Sequence, residues 1–215
     1  MTKDDVFKLI TSDCPQIIYL SGKTSTGKST FCKKLVDSFG YSEVELDKIV
    51  HDSVITPFNI KDIPEAFIIS YRDGEPAIWR EAFIKAAKNA IHETLKKGPV
   101  IVEGAIANAS TLQKVFSGAI PKPYFLYLHP THIGDYVERI TNRFINGVHD
   151  GTSALPKDFW SQLSISDIEN YKLNGEQTDT LKKGIVDFAM ISMEESEKRL
   201  QMLTANFPDI IIVDV

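Results

Sequence analysis

The sequence predicts an α/β fold: a parallel five-stranded sheet covered by helices on both faces. Three observations lead there. Short, continuous apolar runs recur at 16–20, 100–102, 124–128 and 210–213, with a fifth strand candidate at 43–46. Stretches with helical spacing separate them. A glycine-bearing turn joins the first run directly to a helix start, which is how a strand feeds a crossover helix in such sheets.

Residues 2–12 read as a short helix leading into the first strand. The loop Gly22-Lys23-Thr24-Ser25-Thr26-Gly27-Lys28-Ser29 follows, and residues 29–36 then read as an amphipathic helix ended by Gly40. The second strand ends just before Asp47. Between about 48 and 75, Pro57, Pro64 and the turn Asp73-Gly74-Glu75-Pro76 break the chain into short pieces. A long helix is expected from about 76 to 97, with Ile78, Ala82, Phe83, Ala86, Ala90, Ile91 and Leu95 on its apolar side and Gly98-Pro99 as its stop. The third strand ends at Glu103-Gly104. After the fourth come a helix from about 132 to 145, an irregular stretch to about 157, two more helical segments and the last strand.

The turn after the first strand matches G-x-x-x-x-G-K-[ST] at every constrained position, which a random chain of this length does on the order of 1% of the time. Such a loop turns successive backbone N–H groups inward onto phosphates. Its glycines allow the backbone turns and close approach, its lysine reaches the β- and γ-phosphates, and the hydroxyl after it is placed on Mg²⁺. Gly22, Lys23, Thr24, Ser25, Thr26, Gly27, Lys28, Ser29 and Thr30 are therefore the expected nucleotide-binding residues, with Lys28 also catalytic and Ser29 a metal ligand.

The 215 residues suit one domain spanning 1–215. A net charge of −5 disfavours wrapping a nucleic-acid backbone, and no apolar run is long enough to cross a bilayer, so neither nucleic acid nor membrane is an expected partner. Cys14 and Cys32, without metal-like spacing, read as reduced thiols, and a cytoplasmic setting follows. His51, His92, His129, His132 and His149 show no ligand spacing. Absent signatures narrow the class further: there is no Asn-Lys-x-Asp for guanine and no Leu-Ser-Gly-Gly-Gln of transporter ATPases. Asp214 ends an apolar strand, but one expected at the sheet edge, away from the metal.

Several segments in order along the chain resemble the phosphate-loop small-molecule kinases, most of all uridine kinase and its relatives. They are 21–29, Asp47, Val100-Ile101-Val102-Glu103-Gly104, Arg139-Ile140-Thr141-Asn142-Arg143-Phe144-Ile145-Asn146-Gly147 and Phe207-Pro208-Asp209-Ile210-Ile211-Ile212. Dephospho-CoA kinase and zeta-toxin-like kinases are nearly as similar. The resemblance implies a three-layer αβα P-loop NTPase fold with a helical lid at about 135–160, an acceptor-binding region at about 48–80, and ATP with Mg²⁺ as cofactors. It implies phosphoryl transfer to a hydroxyl of a small molecule, a nucleoside or nucleotide-like acceptor. The alternative is a nucleotide-binding NTPase switch with no small-molecule acceptor.

In that frame Asp47 is the candidate catalytic base and touches the acceptor, or else it only caps the helix beginning near Lys48. Glu103 either holds Mg²⁺ or grips the acceptor, with Gly104 leaving room for a ligand; its plainer reading is a strand-end acid in solvent. Arg139 and Arg143, four apart on one helix face, either neutralise charge on the transferred group or lie on a solvated face. Tyr71, Arg72 and Arg80, near Trp79, form an aromatic-plus-arginine cluster suited to holding the acceptor, or belong to the core.

Overall fold

β1 (Ile17–Gly22) is buried along all six residues, as a central strand covered on both faces must be. The computed structural model to which it belongs describes residues 1–60, 77–104, 108–119, 121–149 and 175–215, with the side chains of 145–149 and 177 also outside the description. Tyr71, Arg72, the 61–76 part of the expected acceptor region and the lid beyond 149 therefore lie outside the described residues. β1 pairs in parallel with β3 (Val100–Glu103) on one side and β4 (Tyr124–His129) on the other. β2 (Ser42–Glu45) lies outside β3 and β5 (Ile211–Asp214) outside β4, giving the order β2-β3-β1-β4-β5 with every pair parallel. The expected five-stranded parallel sheet is present, with each strand within two residues of its predicted position.

Alternation along the strands divides the core. Ile18 and Leu20 face α1 (Lys3–Asp13) and α2 (Lys28–Phe39), packing with Phe7, Ile10, Phe31 and Leu35. Ile17 and Tyr19 face the opposite layer. There they meet α3 (Leu46–Val50), a π-helical turn at His51–Ile55, α4 (Ala77–Leu95), α5 (Ala109–Phe116) and the C-terminal part of α7 (Gly175–Asn206) through Val50, Val54, Phe83, Ile91, Phe116 and Leu203. A third apolar cluster joins α6 (Ile133–His149) to α7, each contributing one face at four-residue spacing: Tyr136, Ile140 and Phe144 against Leu181, Ile185 and Ala189. Among the described residues no helix is long and apolar enough to cross a membrane.

Local chemistry fixes the helix ends. Thr2 caps α1 by accepting from the Asp5 N–H at 3.3 Å, and Gly40 ends α2 in the left-handed conformation at φ 71. α5 is an element the longer-window periodicity does not reveal. It has only eight residues, capped by the Asn108 carbonyl oxygen accepting from the Thr111 N–H at 3.1 Å. Gly175–Asn206 is one helix of 32 residues, and the stretch 158–174, over which the two helical segments expected after about 157 begin, lies outside the described residues.

Gly104 corrects one expectation. Its missing side chain makes room for Leu46 rather than for a ligand: a Cβ there would lie 2.7 Å from the Leu46 Cβ, and φ is +153. Gly104→Ala is expected to destabilise the protein by about 2–3 kcal/mol, combining overpacking with backbone strain, as read by urea denaturation. A loss below about 0.5 kcal/mol would show that Leu46 yields freely.

Candidate functional site

The loop leaves β1 at Gly22 and enters α2 at Lys28. Gly22 sits at φ +152, where a Cβ would come within 2.8 Å of the Leu128 carbonyl oxygen and 2.9 Å of Thr26 Oγ1. Gly27 and Ser25 both adopt positive φ, 86 and 60. Two side-chain donors close the loop on one acceptor: the Thr26 hydroxyl reaches the Lys23 carbonyl at 2.8 Å and the Lys28 ammonium reaches it at 3.0 Å. The first intrahelical bond of α2 runs from Phe31 N–H to Gly27 O at 3.0 Å, so the N–H groups of Lys28, Ser29 and Thr30 precede the helix ladder. That end of the helix carries partial positive charge, which favours an anion.

Beside the loop opens a cavity of about 430 Å³. Gly22, Lys23, Thr24, Lys28 and Ser29 of the loop line it together with Asp47, Glu103, Arg143 and one face of α7. Asp47 comes from the first turn of α3, where Glu45 occupies the capping position, so the carboxylate is not the cap that its plainer reading supposes. Glu103 ends β3 level with Leu20 of β1 and lies 3.9 Å from the Lys28 ammonium, partly buried rather than in open solvent. Burial pushes the Lys28 ammonium below its ordinary range, while Glu103 and Asp47 pull it back up. Burial likewise pushes Glu103 above the ordinary carboxylate value; Lys28 opposes that shift and Asp47 adds to it.

α6 is fastened to the loop at one residue. The Tyr136 hydroxyl donates to the Thr24 carbonyl at 3.0 Å, and Arg143 Nη1 donates to Thr24 Oγ1 at 2.7 Å. The two arginines expected to act from one face diverge. Arg139 does not line the cavity: its Nε donates to the Asp135 carbonyl at 3.2 Å, and its charge acts on Lys3, whose ammonium lies beside Gly27. Arg80 is also elsewhere. It lines a separate groove with Glu81, Ile84 and Lys88, while Trp79 packs on the core and faces Phe58 at 6.2 Å between ring centroids.

The largest contribution that sequence reasoning misses comes from α7. Phe188, Ile191, Ser192, Glu195 and Arg199 recur at helical spacing and all line the cavity. Glu195 forms a salt bridge with Lys23 of the loop, and Arg199 is 6% exposed. The helix is held in place by a buried polar network: Ser196 Oγ hydrogen-bonds the Tyr127 hydroxyl at 2.9 Å and His129 Nδ1 at 3.4 Å, and His129 Nε2 lies 3.0 Å from Glu197. The 3.6-residue spacing on α7 was available as a signal. What faced it was not.

Ser29, Asp47 and Glu103 bring hard oxygen donors to one cavity, and the described donor set fits Mg²⁺, which takes few protein ligands beside phosphates and water. No protein-family model matches the chain, and no curated protein matches it. Solved structures resemble it in chain trace. A sugar kinase from Janibacter sp. HTCC2649 shares 13% identity over 86% of this chain and 98% of its own, with a TM-score of 0.44. A gluconokinase from Sinorhizobium meliloti 1021 shares 17% over 85% and 98%, with a TM-score of 0.40. A shikimate kinase from Bacteroides thetaiotaomicron shares 13% over 92% and 84%, with a TM-score of 0.42. These likenesses carry no functional assignment for this chain.

The anchoring of α7 is testable by itself. Ser196→Ala leaves the buried Tyr127 hydroxyl without that partner and is expected to cost about 1–3 kcal/mol in urea denaturation. An unchanged midpoint would mean that apolar packing alone holds the helix.

Proposed function

We propose that the chain is an ATP-dependent phosphotransferase that phosphorylates a hydroxyl of a small molecule. One observation carries the reading: Lys28, the carboxylates of Asp47 and Glu103, and Arg143 face a single cavity at the mouth of the phosphate loop. Phosphoryl transfer needs positioning and charge neutralisation more than covalent chemistry from the protein, and these are the groups for it. The finer form, a nucleoside or nucleotide-like acceptor, rests on the likeness of the quoted segments to uridine kinases.

In this reading the loop N–H groups and Lys28 hold the β- and γ-phosphates, and Arg143, braced on Thr24, offsets charge on the transferred group. Asp47 accepts the acceptor's hydroxyl proton as its oxygen bonds to the γ-phosphorus. The bond from that phosphorus to the β–γ bridging oxygen breaks, and ADP departs with the electron pair. Mg²⁺, held by Ser29 and Glu103, would supply charge neutralisation on the phosphates.

Three outcomes are expected. Lys28→Ala reduces ATP binding by at least about 10-fold in calorimetry, because a phosphate contact is lost. Asp47→Asn lowers acceptor-dependent ADP release by about 100- to 10,000-fold, and an undiminished rate would remove the residue from the proposed role. The third concerns pH. Glu103 is held above the ordinary value of 4.5, so the ligand-free fold keeps this group's contribution at low pH and loses it as pH rises through the raised value. Metal–nucleotide affinity runs the other way, strengthening over the same window as the carboxylate ionises. That rise should be flattened in Glu103→Gln, and an identical profile in the variant would place the titrating group elsewhere.

A further inference from the structure

We infer that the groove between α4 and the end of α5 is a second anion site, and that it takes a compact polyphosphorylated small molecule. The inference stands apart from the phosphotransferase reading: this groove and the cavity at the phosphate loop have no described lining residue in common.

The groove encloses about 500 Å³, a volume suited to a small ligand. Arg80, Lys85 and Lys88 of α4 and Lys114 of α5 line it, against the single described carboxylate of Glu81. None of the four cations forms a salt bridge. Lys88 donates instead to the Ser117 hydroxyl at 2.6 Å, and that hydroxyl donates to the Lys114 carbonyl at 2.8 Å. The Nε of Arg80 is buried without a hydrogen-bond partner, a bond that an oxyanion could complete. Cations gathered without counter-ions reverse the sign of a chain whose net charge is −5, and such a patch draws anions.

The spread of the charges selects the ligand. Arg80, Ile84 and Lys88 fall in one row of α4 at four-residue spacing, which sets the two cations about 12 Å apart along the helix. Lys85 adjoins that row, and Lys114 comes from the neighbouring helix. One phosphate cannot reach cations over that span. Each phosphate group brings about 1.5 to 2 negative charges where a carboxylate brings one, so several phosphates balance this lining within a volume that holds few carboxylates. The arginine fork can grip two oxygens while the lysines act as point charges on the rest. Ala77 and Ile84 add a small apolar surface for the ligand's remainder. The bond from Lys88 to Ser117 fixes one cation where the two helices meet.

The test is calorimetric titration of tripolyphosphate into the full chain carrying Lys28→Ala, which weakens the phosphate loop as a competing site. It is run without Mg²⁺ and at about 150 mM salt, where diffuse surface attraction is largely screened. One equivalent should bind. Adding Lys85→Gln and Lys88→Gln should weaken it by at least about 30-fold, the size expected for lost bonds between charged groups. Lys85 is exposed and Lys88 half-buried, so the variant should keep its urea midpoint. Lys85→Arg with Lys88→Arg keeps the charge and should keep the binding. Citrate, whose charge is spread over carboxylates, should bind at least about 10-fold more weakly than tripolyphosphate. ATP separates the two sources of such a group: affinity equal to or above that of tripolyphosphate, and lost with the lysines, identifies a nucleotide, and lower affinity a free polyphosphate. Absence of saturable binding overturns the inference, as does an affinity unchanged in the folded glutamine variant. Citrate binding as tightly as tripolyphosphate also overturns it.

Discussion

Everything at the site depends on the register of one strand. β1 is held between β3 and β4 with Leu20 level with Glu103 on one side and with Leu126 on the other. Because all pairs are parallel, every strand delivers its C-terminal end to the same edge of the sheet, where ligands bind in folds of this kind. The loop after Gly22, the carboxylate of Glu103 and the imidazole of His129 reach that edge from three strands. A slip of one residue in β3 would turn Glu103 to the other face and put an apolar side chain beside Lys28.

Charge at that edge is concentrated and balanced locally. Lys28 and Glu103 face each other across 3.9 Å, and burial pushes each toward its neutral form while each pulls the other back. Such a pair is poorly solvated without ligand, so a metal–nucleotide complex arriving between them replaces lost hydration with fixed charge. Lys23 and Glu195 repeat the arrangement between the loop and α7. The two pairs tie the loop to the sheet on one side and to the long helix on the other.

Features set by neighbours in sequence were legible in advance. The glycine loop, the Gly40 stop and the acids at the ends of the second and third strands depend on local conformation or on strand alternation, and the structure has them where the residues pointed. Features set by distant partners were not. Gly104 reads as ligand space until Leu46, the first residue of α3, is seen to fill it. Arg139 and Arg143 share a helix face by spacing, yet Thr24 captures one and the other turns to the Asp135 carbonyl near Lys3. Arg199 is one charged residue among many on a long helix, and only the fold shows that it is buried against the cavity. Tyr71 and Arg72 lie outside the described residues, so that part of the acceptor reading stays a matter of sequence.

The position of β1 at the centre of the sheet also sets the order of assembly. Its first neighbour in the sheet, β3, begins roughly 80 residues further along the chain, and the pairing with β4 is longer still. At about 5–20 residues per second of synthesis, β1 waits on the order of 4 to 16 seconds for a strand to pair with. During that interval its six apolar and small residues have only α1 and α2 to cover one side. The cost of placing the ligand loop on a central strand is therefore kinetic: the segment that organises the site is also the one left longest with unpaired backbone, open to the wrong partner.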